Sequence, residues 1–390
     1  MGHLLVAHTF EVNLSSYPGT FSYMDRFSAK LFQKIAKSSQ GNVVISPLSV
    51  HALLGMIYAA SAGDTLRELQ QVGEFGKNPT DVALDFQRLV KVKDNQQGAE
   101  LAIAMRVYYN QQLAGINPRY EQFAKIHYNA STVPVDMSNG EETATKINSW
   151  VADSTRNKIQ NLVSPDSITS EVQAILVNAV YFKGIWAKDF PTIATHPAEF
   201  HHTDGRTSQV DMMYNKDFFR LAYLPELDAT ALELAYKDSA TSMLILLPNR
   251  HDGLADLEQQ LARPEFDLNR IALRLRSQIV EVSLPKFRIE FKQEMNEPLK
   301  ELGLHEMFSA SSQVINLLDQ PVHVTQIMQK AFIDVGEEGT EASAATFAMI
   351  EFRSFSPPKP KFVANRPFVF VIRTPSSVLF VGHVEDPGLK

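Results

Sequence analysis

The sequence contains no cysteine, which excludes disulfide bonds and thiolate chemistry. It also contains no apolar run approaching the roughly 18 residues that a membrane-spanning helix needs. A chain of 390 residues can bury a core large enough to be stable without disulfides. The missing cysteine therefore does not by itself fix a cellular compartment.

Common catalytic and metal-binding motifs are missing as well. The patterns HExxH and GxSxG and the phosphate-binding loop are all absent. The pair His305-Glu306 lacks the second histidine that would follow four residues after the first in a zinc-binding helix. We therefore expect neither catalytic residues, nor a metal site, nor a resident cofactor, and an enzyme is the least supported of the function classes considered.

Acidic residues outnumber basic residues by 44 to 37, which gives a formal net charge of −7. This balance argues against a general nucleic-acid or membrane-surface binder. The content of 44% hydrophobic and 21% charged residues is that of a globular protein. We predict a single domain over residues 1–390.

Hydrophobic periodicity predicts both helices and strands. Residues 22–41 carry apolar side chains at helical spacing. A second helix follows Ser46 and Pro47 and is apolar on nearly all sides, so it should be buried. Residues 174–182 form a continuous apolar run, typical of a central strand buried on both faces. Asn178 lies within that run and needs hydrogen-bond partners there.

The most unusual stretch of the chain covers residues 336–367. Its residues 339–346 are mostly small and include a single charge, which suits neither a regular strand nor a flexible linker. Small side chains at alternate positions would let this segment slide between strands that are already packed. Arg353 follows, and after it a proline-rich stretch leads into the buried strand predicted at residues 368–372.

Several stretches resemble the serpins, the serine-protease-inhibitor family. They are the small-residue run with its arginine (339–353), NVVISPLSV (42–50), INSWVADSTRNKI (147–159) and SVLFVGHVEDP (377–387). The resemblance covers essentially the whole chain. It implies the serpin fold, a mixed α/β (α+β) architecture with three β-sheets, about nine helices and an exposed reactive-centre loop at about residues 337–362.

The resemblance implies inhibition of trypsin-like serine proteases by a suicide-substrate mechanism. The protease would cleave the Arg353–Ser354 bond and stay covalently joined to Arg353 while the loop inserts into the central sheet. Fully extended, the fifteen residues from Gly339 to Arg353 would span about 50 Å at 3.3 Å each. The implied hinge comprises Glu337, Glu338, Gly339, Thr340, Glu341, Ala342, Ser343, Ala344, Ala345 and Thr346.

Arg353 is the residue that should select the protease, because a trypsin-like pocket holds an aspartate that pairs with arginine. Residues beside the bond would tune the choice of enzyme, and they are Ile350, Glu351, Phe352 and Phe355. Cleavage after Phe352 or Phe355 by a chymotrypsin-like protease is the alternative interpretation.

Other residues match positions that control sheet opening in the family. Ser46, Ser49 and Asn178 would form a polar cluster under the sheet. Gln329 stands where most serpins have a histidine, and an amide can both donate and accept, so we expect the cluster to persist with an altered pH response. Trp186 matches a tryptophan at the top of the sheet. Lys286 would pair with Glu337 at the base of the loop, although ordinary surface pairing would contribute little.

The resemblance to antithrombin-like serpins suggests a glycosaminoglycan site for heparin, which would act as an activator. The candidate basic residues are Lys30, Lys34, Lys37, Arg88, Lys91 and Lys93. The alternative is that these residues form an ordinary solvated face on an acidic protein.

The expected context is a secreted, extracellular monomer that forms a covalent complex with its protease. The first ten residues lack the features of a signal peptide, so we expect a mature chain whose leader has been removed. Asn13 and Asn129 lie in sequons that permit glycosylation. The chain looks similar to insect haemolymph serpins that restrain immune or melanisation proteases. A non-inhibitory serpin acting as a carrier or storage protein is the alternative, although Thr340 and Ala342 lack the charge or bulk that would spoil the hinge.

Overall fold

Helices and strands are both abundant in the part of the chain that the structure describes. The structure is a computed structural model, and it describes residues 20–91, 98–113, 115–338 and 359–389. These ranges contain nine α-helices, which agrees with the number expected, and the predicted mixed α/β class is confirmed. The helices are α1 (Thr20–Ser38), α2 (Pro47–Ala60), α3 (Gly63–Val72), α4 (Pro79–Lys91), α5 (Pro118–Tyr128), α6 (Gly140–Ser154), α7 (Leu254–Leu261), α8 (Leu268–Arg274) and α9 (Asn296–Glu301).

Fourteen strands lie in the same ranges. They are β1 (Val43–Ile45), β2 (Ala99–Asn110), β3 (Ser131–Val135), β4 (Ala174–Gly184), β5 (His196–His201), β6 (Thr207–Leu224), β7 (Ala229–Ala235), β8 (Ser242–Pro248), β9 (Arg276–Pro285), β10 (Phe287–Glu294), β11 (Gln326–Val335), β12 (Lys361–Val363), β13 (Phe368–Thr374) and β14 (Ser377–Val384). Five of them form one sheet in the order β10-β11-β4-β2-β3, and the other nine form a second sheet.

The nine-stranded sheet runs β1-β14-β13-β8-β7-β6-β9-β12, with β5 also paired to β6. Strand β6 is 18 residues long and joins two halves of this sheet. Its first residues pair with β5, its middle pairs with β9, and residues 220–224 pair with β7. The three sheets implied by the resemblance therefore appear as two continuous hydrogen-bonded sheets, because β6 passes through both halves of the larger one.

Helix α1 ends earlier than the apolar periodicity predicts. Phe27, Leu31 and Ile35 are buried, as their helical spacing requires. The helix covers Thr20–Ser38 rather than residues 22–41. The hydroxyl of Ser38 donates to the carbonyl oxygens of residues 34 and 35, which satisfies the last turn before the chain reaches Gly41.

Helix α2 is buried on almost every side, as predicted. Pro47 occupies its first turn, where a missing N–H costs nothing. Twelve of its 14 residues are buried, so it forms the centre of the main hydrophobic cluster. Within the described ranges, every helix is too short or too polar to cross a membrane.

Strand β4 separates two hydrophobic layers, because successive side chains point to opposite faces. Ile175 and Val177 pack in one cluster with Ile147 and Val151 of α6. Asn178 points the other way, toward α2, where Ser49 meets it. Helix α6 therefore lies over one face of the five-stranded sheet and α2 supports the other.

Candidate functional site

Strands β4 and β11 lie directly side by side at the centre of the five-stranded sheet. They are parallel, and residues 175–181 of β4 pair with residues 326–332 of β11. We call this pairing the β4–β11 seam. A strand that continued from the end of β11 and folded back would be antiparallel to both β11 and β4, so the seam is a place where it could insert.

The seam is open at one end. Beyond Tyr181 and Phe332 the pairing between β4 and β11 stops, although both strands continue for three more residues. Those last residues of β4 still pair with β2, and those of β11 still pair with β10. The two strands therefore present facing backbone groups without pairing to each other, which is the geometry that favours addition of a further strand.

The chain leaving β11 is fastened beside this open end. The backbone N–H of Trp186 donates to the carbonyl of Glu338 at 3.1 Å, and the Phe190 N–H donates to the carbonyl of Glu337 at 2.8 Å. The indole N–H of Trp186 donates to the Gly336 carbonyl at 2.9 Å. The Trp186 ring stacks on Tyr236 with centroids 4.6 Å apart, so the tryptophan is held rigidly in place.

The side chain of Glu337 adds an ionic contact to this attachment. Its carboxylate lies 3.0 Å from the Lys286 ammonium and accepts a hydrogen bond from the Thr195 hydroxyl at 3.0 Å. Burial by itself would raise the pKa of Glu337, but its backbone hydrogen bond, Lys286 and Thr195 together lower the pKa. Thr195 was not among the sequence predictions, because nothing local marks a threonine far from Glu337 along the chain.

Acid should release this attachment before it unfolds the protein. A carboxylate with a lowered pKa stabilises the folded state above about pH 4.3, and this contribution is lost as the pH falls through the lowered value. Because the chain has two tryptophans, Trp150→Phe leaves Trp186 as the only one. We expect its fluorescence to change below about pH 4.3 while far-ultraviolet circular dichroism stays constant.

Glu337→Gln in the same Trp150→Phe background is the control, because glutamine does not titrate. This second variant should show no transition in that pH range. Identical acid titrations of the two proteins would contradict the role of Glu337.

A buried polar cluster on the face of the sheet that α2 covers joins the two strands of the seam. Gln329 on β11 lies directly opposite Asn178 on β4 and donates to its side-chain oxygen at 2.8 Å. The same amide bonds to the backbone N–H and carbonyl of Ser46, at 3.0 and 3.1 Å. The Ser49 hydroxyl lies 2.7 Å from the Asn178 oxygen. The structure therefore brings the four predicted residues together, and a strand entering the seam would have to part Gln329 from Asn178.

Histidine in place of Gln329 should make stability depend on pH. The four side chains of the cluster are all but completely buried, and glutamine has no titratable group. Burial would lower the pKa of a histidine below about 6.5, so the folded state of Gln329→His should lose stability as the pH falls below that value. We expect the urea midpoint of Gln329→His, relative to the unsubstituted protein, to be lower at pH 5.5 than at pH 8. An equal difference at both pH values would contradict this.

The reactive-bond residues lie outside the described residues. They are Arg353, Ser354, Ile350, Glu351, Phe352 and Phe355, together with the hinge residues 339–346. Both flanks are described. Glu337 contacts Lys286, which directly follows β9, and the Pro360 carbonyl accepts from the Glu281 N–H within β9 at 3.0 Å. The segment therefore starts and ends beside the same strand.

Five of the six candidate heparin residues lie on α1 and α4, which both pack against α2. Lys30 and Lys37 on α1 are exposed. Lys34 pairs with Glu301 at 3.1 Å, and Arg88 on α4 pairs with Asp85 at 2.7 Å. Lys91 is the last residue of α4, and Lys93 lies outside the described residues. The two ion pairs reduce the positive charge available to a polyanion.

One of the two sequons can be located. Asn129 is exposed at the end of α5 in a left-handed backbone conformation, with φ of 49°. Asn13 lies outside the described residues. The exposed side chain of Asn129 is sterically accessible for modification.

Comparison with known proteins gives consistent matches over nearly the whole chain. Residues 22–387 match the family model described as "Serpin (serine protease inhibitor)". Serine protease inhibitor 42Dd of Drosophila melanogaster is 35% identical over 369 residues, which cover 92% of this chain and 95% of that protein. Alaserpin of Manduca sexta is 35% identical over 93% of each chain. The crystal structure of Serpin48 from Tenebrio molitor superimposes with a TM-score of 0.85 at 30% identity, covering 94% of this chain and 98% of that one.

Proposed function

Because the chain belongs to the serpin family of serine protease inhibitors, we propose that it inhibits trypsin-like proteases as a suicide substrate. The protease serine attacks the carbonyl carbon of Arg353, the bond to Ser354 breaks, and the new amine of Ser354 takes up a proton. The protease then remains attached to Arg353 through an ester while the segment that follows β11 enters the sheet.

The observation that carries this proposal is the β4–β11 seam, which is open at the end where the chain leaves β11. A segment inserted there gains ladder hydrogen bonds on both sides, each worth roughly 0.5–1.5 kcal/mol net. Summed over the hinge and the residues up to Arg353, the gain is of order ten kcal/mol. An energy of that size is sufficient to distort an attached enzyme. Because insertion would release this energy, the uninserted form is held only kinetically.

The specificity is tested by inhibition of two proteases with different pockets. We expect fast inhibition of trypsin, whose pocket takes arginine, and slow or no inhibition of chymotrypsin, whose pocket takes aromatic residues. Faster inhibition of chymotrypsin would move the cleaved bond to Phe352 or Phe355.

The setting of this activity would be extracellular. The accessible sequon at Asn129 supports a secreted, glycosylated protein, and the similar Drosophila protein named a serine protease inhibitor supports the inhibitor role. An immune-type protease cascade is the setting that we propose for it. Mass analysis of the protein from secreting cells, before and after enzymatic removal of N-glycans, tests the glycosylation directly. An unmodified Asn129 would remove the support that the sequon gives.

Heparin should accelerate inhibition if the basic residues of α1 and α4 act together. Substitution of Arg88, Lys91 and Lys93 by alanine should remove most of the acceleration, because polyanion binding depends on the number of paired charges. The measurement is the second-order rate constant for trypsin with and without heparin at low salt. A matched control is Lys158→Ala, on the segment that follows α6. No acceleration, or acceleration that survives the triple substitution, would contradict the site.

A further inference from the structure

We propose that a cluster of donor side chains beside the turn between β12 and β13 binds a tetrahedral oxyanion, the sulfate or phosphate group of a small ligand. The donor cluster consists of His201, Tyr223, His251 and Arg366. Its members come from four different segments of the chain, which the fold brings together at one end of the nine-stranded sheet. This inference goes beyond the proposed function and does not depend on it.

Three of these segments are joined by hydrogen bonds and a ring contact. The N–H of His201, the last residue of β5, donates to the Asn365 carbonyl at 2.8 Å. Arg366 follows directly, and its Nε donates to the carbonyl of Pro248, at the end of β8, at 2.7 Å. The rings of His201 and His251 meet edge to face with centroids 4.8 Å apart. The end of β5, the turn before α7 and the turn between β12 and β13 therefore border one site.

Tyr223 approaches the same site from the end of β6. It lies opposite Thr230 of β7, and Thr230 lies opposite Leu247, the residue before Pro248 on β8. Its side chain is 69% exposed, so the hydroxyl is accessible to a ligand. Burial lowers the pKa of Arg366 and Tyr223 partly offsets this effect, which places the tyrosine near the guanidinium.

The guanidinium of Arg366 is half-buried and forms no ion pair with a carboxylate of the described residues. Its two acceptors are neutral oxygens, the Pro248 carbonyl and the side chain of Asn365 at 3.1 Å. Charges that are withdrawn from water are usually paired with an opposite charge, because burial of an isolated charge costs free energy. A half-buried guanidinium that lacks this compensation is a favourable contact for an anion from solution.

The surroundings of His251 are also short of negative charge. Burial, His201 and Arg366 together lower the pKa of His251, and Asp252 only partly offsets them. The carboxylate of Asp252 lies 3.6 Å from the Nε of Arg250, so it already has a guanidinium partner. Imidazole, phenol and guanidinium groups all carry N–H or O–H donors. The donor cluster therefore presents several donors and little acceptor capacity of its own.

The arrangement of the donors indicates the shape of the ligand. They approach from four segments, and a tetrahedral group offers oxygens in several directions, whereas a carboxylate offers two in one plane. Arginine also matches the oxygens of such groups with two parallel N–H donors. A divalent cation would suit a pair of imidazoles, but the charge of Arg366 beside them repels it. The anion would fasten the turn between β12 and β13 to β5, β6 and the turn before α7.

Histidine ring resonances in the nuclear magnetic resonance spectrum of the unsubstituted protein test the site directly. At about pH 6, near the usual pKa of histidine, sodium sulfate is compared with sodium chloride of equal ionic strength. We expect saturable shifts of His201 and His251 in sulfate and none in chloride, with the other histidines as internal references. Equal shifts in chloride, or a uniform drift of all histidines, would overturn the proposal. A response to Zn²⁺ and none to sulfate would replace the anion site by a metal site.

Two matched sugars distinguish the sources of the anion. Glucose 6-sulfate and glucose 6-phosphate carry the two tetrahedral groups on the same body, so the one that shifts His201 and His251 at the lower concentration identifies the preferred group. Both should bind more tightly than glucose, which carries no charge. Equal responses to glucose and to the charged sugars would contradict recognition of an oxyanion.

Substitutions test the contribution of each donor to sulfate affinity. Arg366→Gln should weaken binding at least about tenfold, because it removes the charge and the two-point contact. Arg263→Gln is the matched control, since Arg263 is exposed beyond the other end of α7, and it should bind normally. Arg366 also holds the turn through its own hydrogen bonds, so His251→Gln, at an exposed side chain, is the second variant and should weaken binding by a factor of about three.

Sulfate binding that survives both Arg366→Gln and His251→Gln unchanged would overturn the donor cluster. Trypsin inhibition by His251→Gln should equal that of the unsubstituted protein, because the site lies outside the inhibitory machinery. A failure of the anion site is therefore distinguishable from a failure of the proposed function.

Discussion

We expect that replacement of Arg353 by alanine reduces the rate of trypsin inhibition by about two to three orders of magnitude. An arginine in a trypsin-like pocket makes a charge-assisted, two-point contact with a buried aspartate. Removing one partner of such a pair costs about 2–5 kcal/mol, and each 1.4 kcal/mol is a factor of ten. The measurement is the second-order rate constant under conditions of excess inhibitor.

Arg353→Lys is the control for this variant, because it keeps the charge and changes only the geometry. It should retain much more of the rate than alanine does, since a lysine still reaches the aspartate as a point charge. Undiminished inhibition by Arg353→Ala would show that another bond is cleaved, and the position of the cut in the residual complex would identify it.

We expect that replacement of Thr340 by arginine converts the inhibitor into a substrate of the protease. Thr340 occupies one of the alternate positions that would face inward when the segment enters the seam, and a charge buried there without a partner costs several kcal/mol. Insertion would then be too slow to trap the enzyme before the ester is hydrolysed. The expected result is complete cleavage at Arg353 with almost no covalent complex.

Glu341→Arg provides the matched control, because it places the same side chain one residue further along. In a strand, neighbouring side chains point to opposite faces, so this arginine would face outward and be solvated. The variant should still form the complex. If Thr340→Arg retained complex formation, or if both variants lost it equally, the alternation on which the insertion model depends would be wrong.

Local patterns were sufficient to predict the elements at the centre of the fold. The continuous apolar run around Asn178 predicted a strand buried on both faces, and β4 has that position. The exposed reactive loop stays a prediction that rests on resemblance, because residues 339–358 lie outside the described part of the chain. Ser38 ended α1 three residues before Gly41, through side-chain hydrogen bonds that periodicity does not reveal.

Contacts between distant segments account for what the sequence did not predict. Glu337 meets Thr195 because the turn before β5 and the end of β11 converge. Trp186 stacks on Tyr236 because the residues that follow β4 and β7 lie side by side. Phe218 could not be recognised as exposed, because its neighbour Phe219 is equally apolar and is buried. Only the register of β6 against β9 distinguishes the two.

The central claim is that cleavage at Arg353 traps the protease covalently. Equimolar incubation with trypsin, followed by a denaturing gel and intact-mass analysis, tests it most directly. We predict a complex that survives SDS, together with a released fragment of residues 354–390. Clean cleavage after Arg353 with free, active trypsin and no complex would contradict the account, and would favour a carrier or storage protein with the same fold.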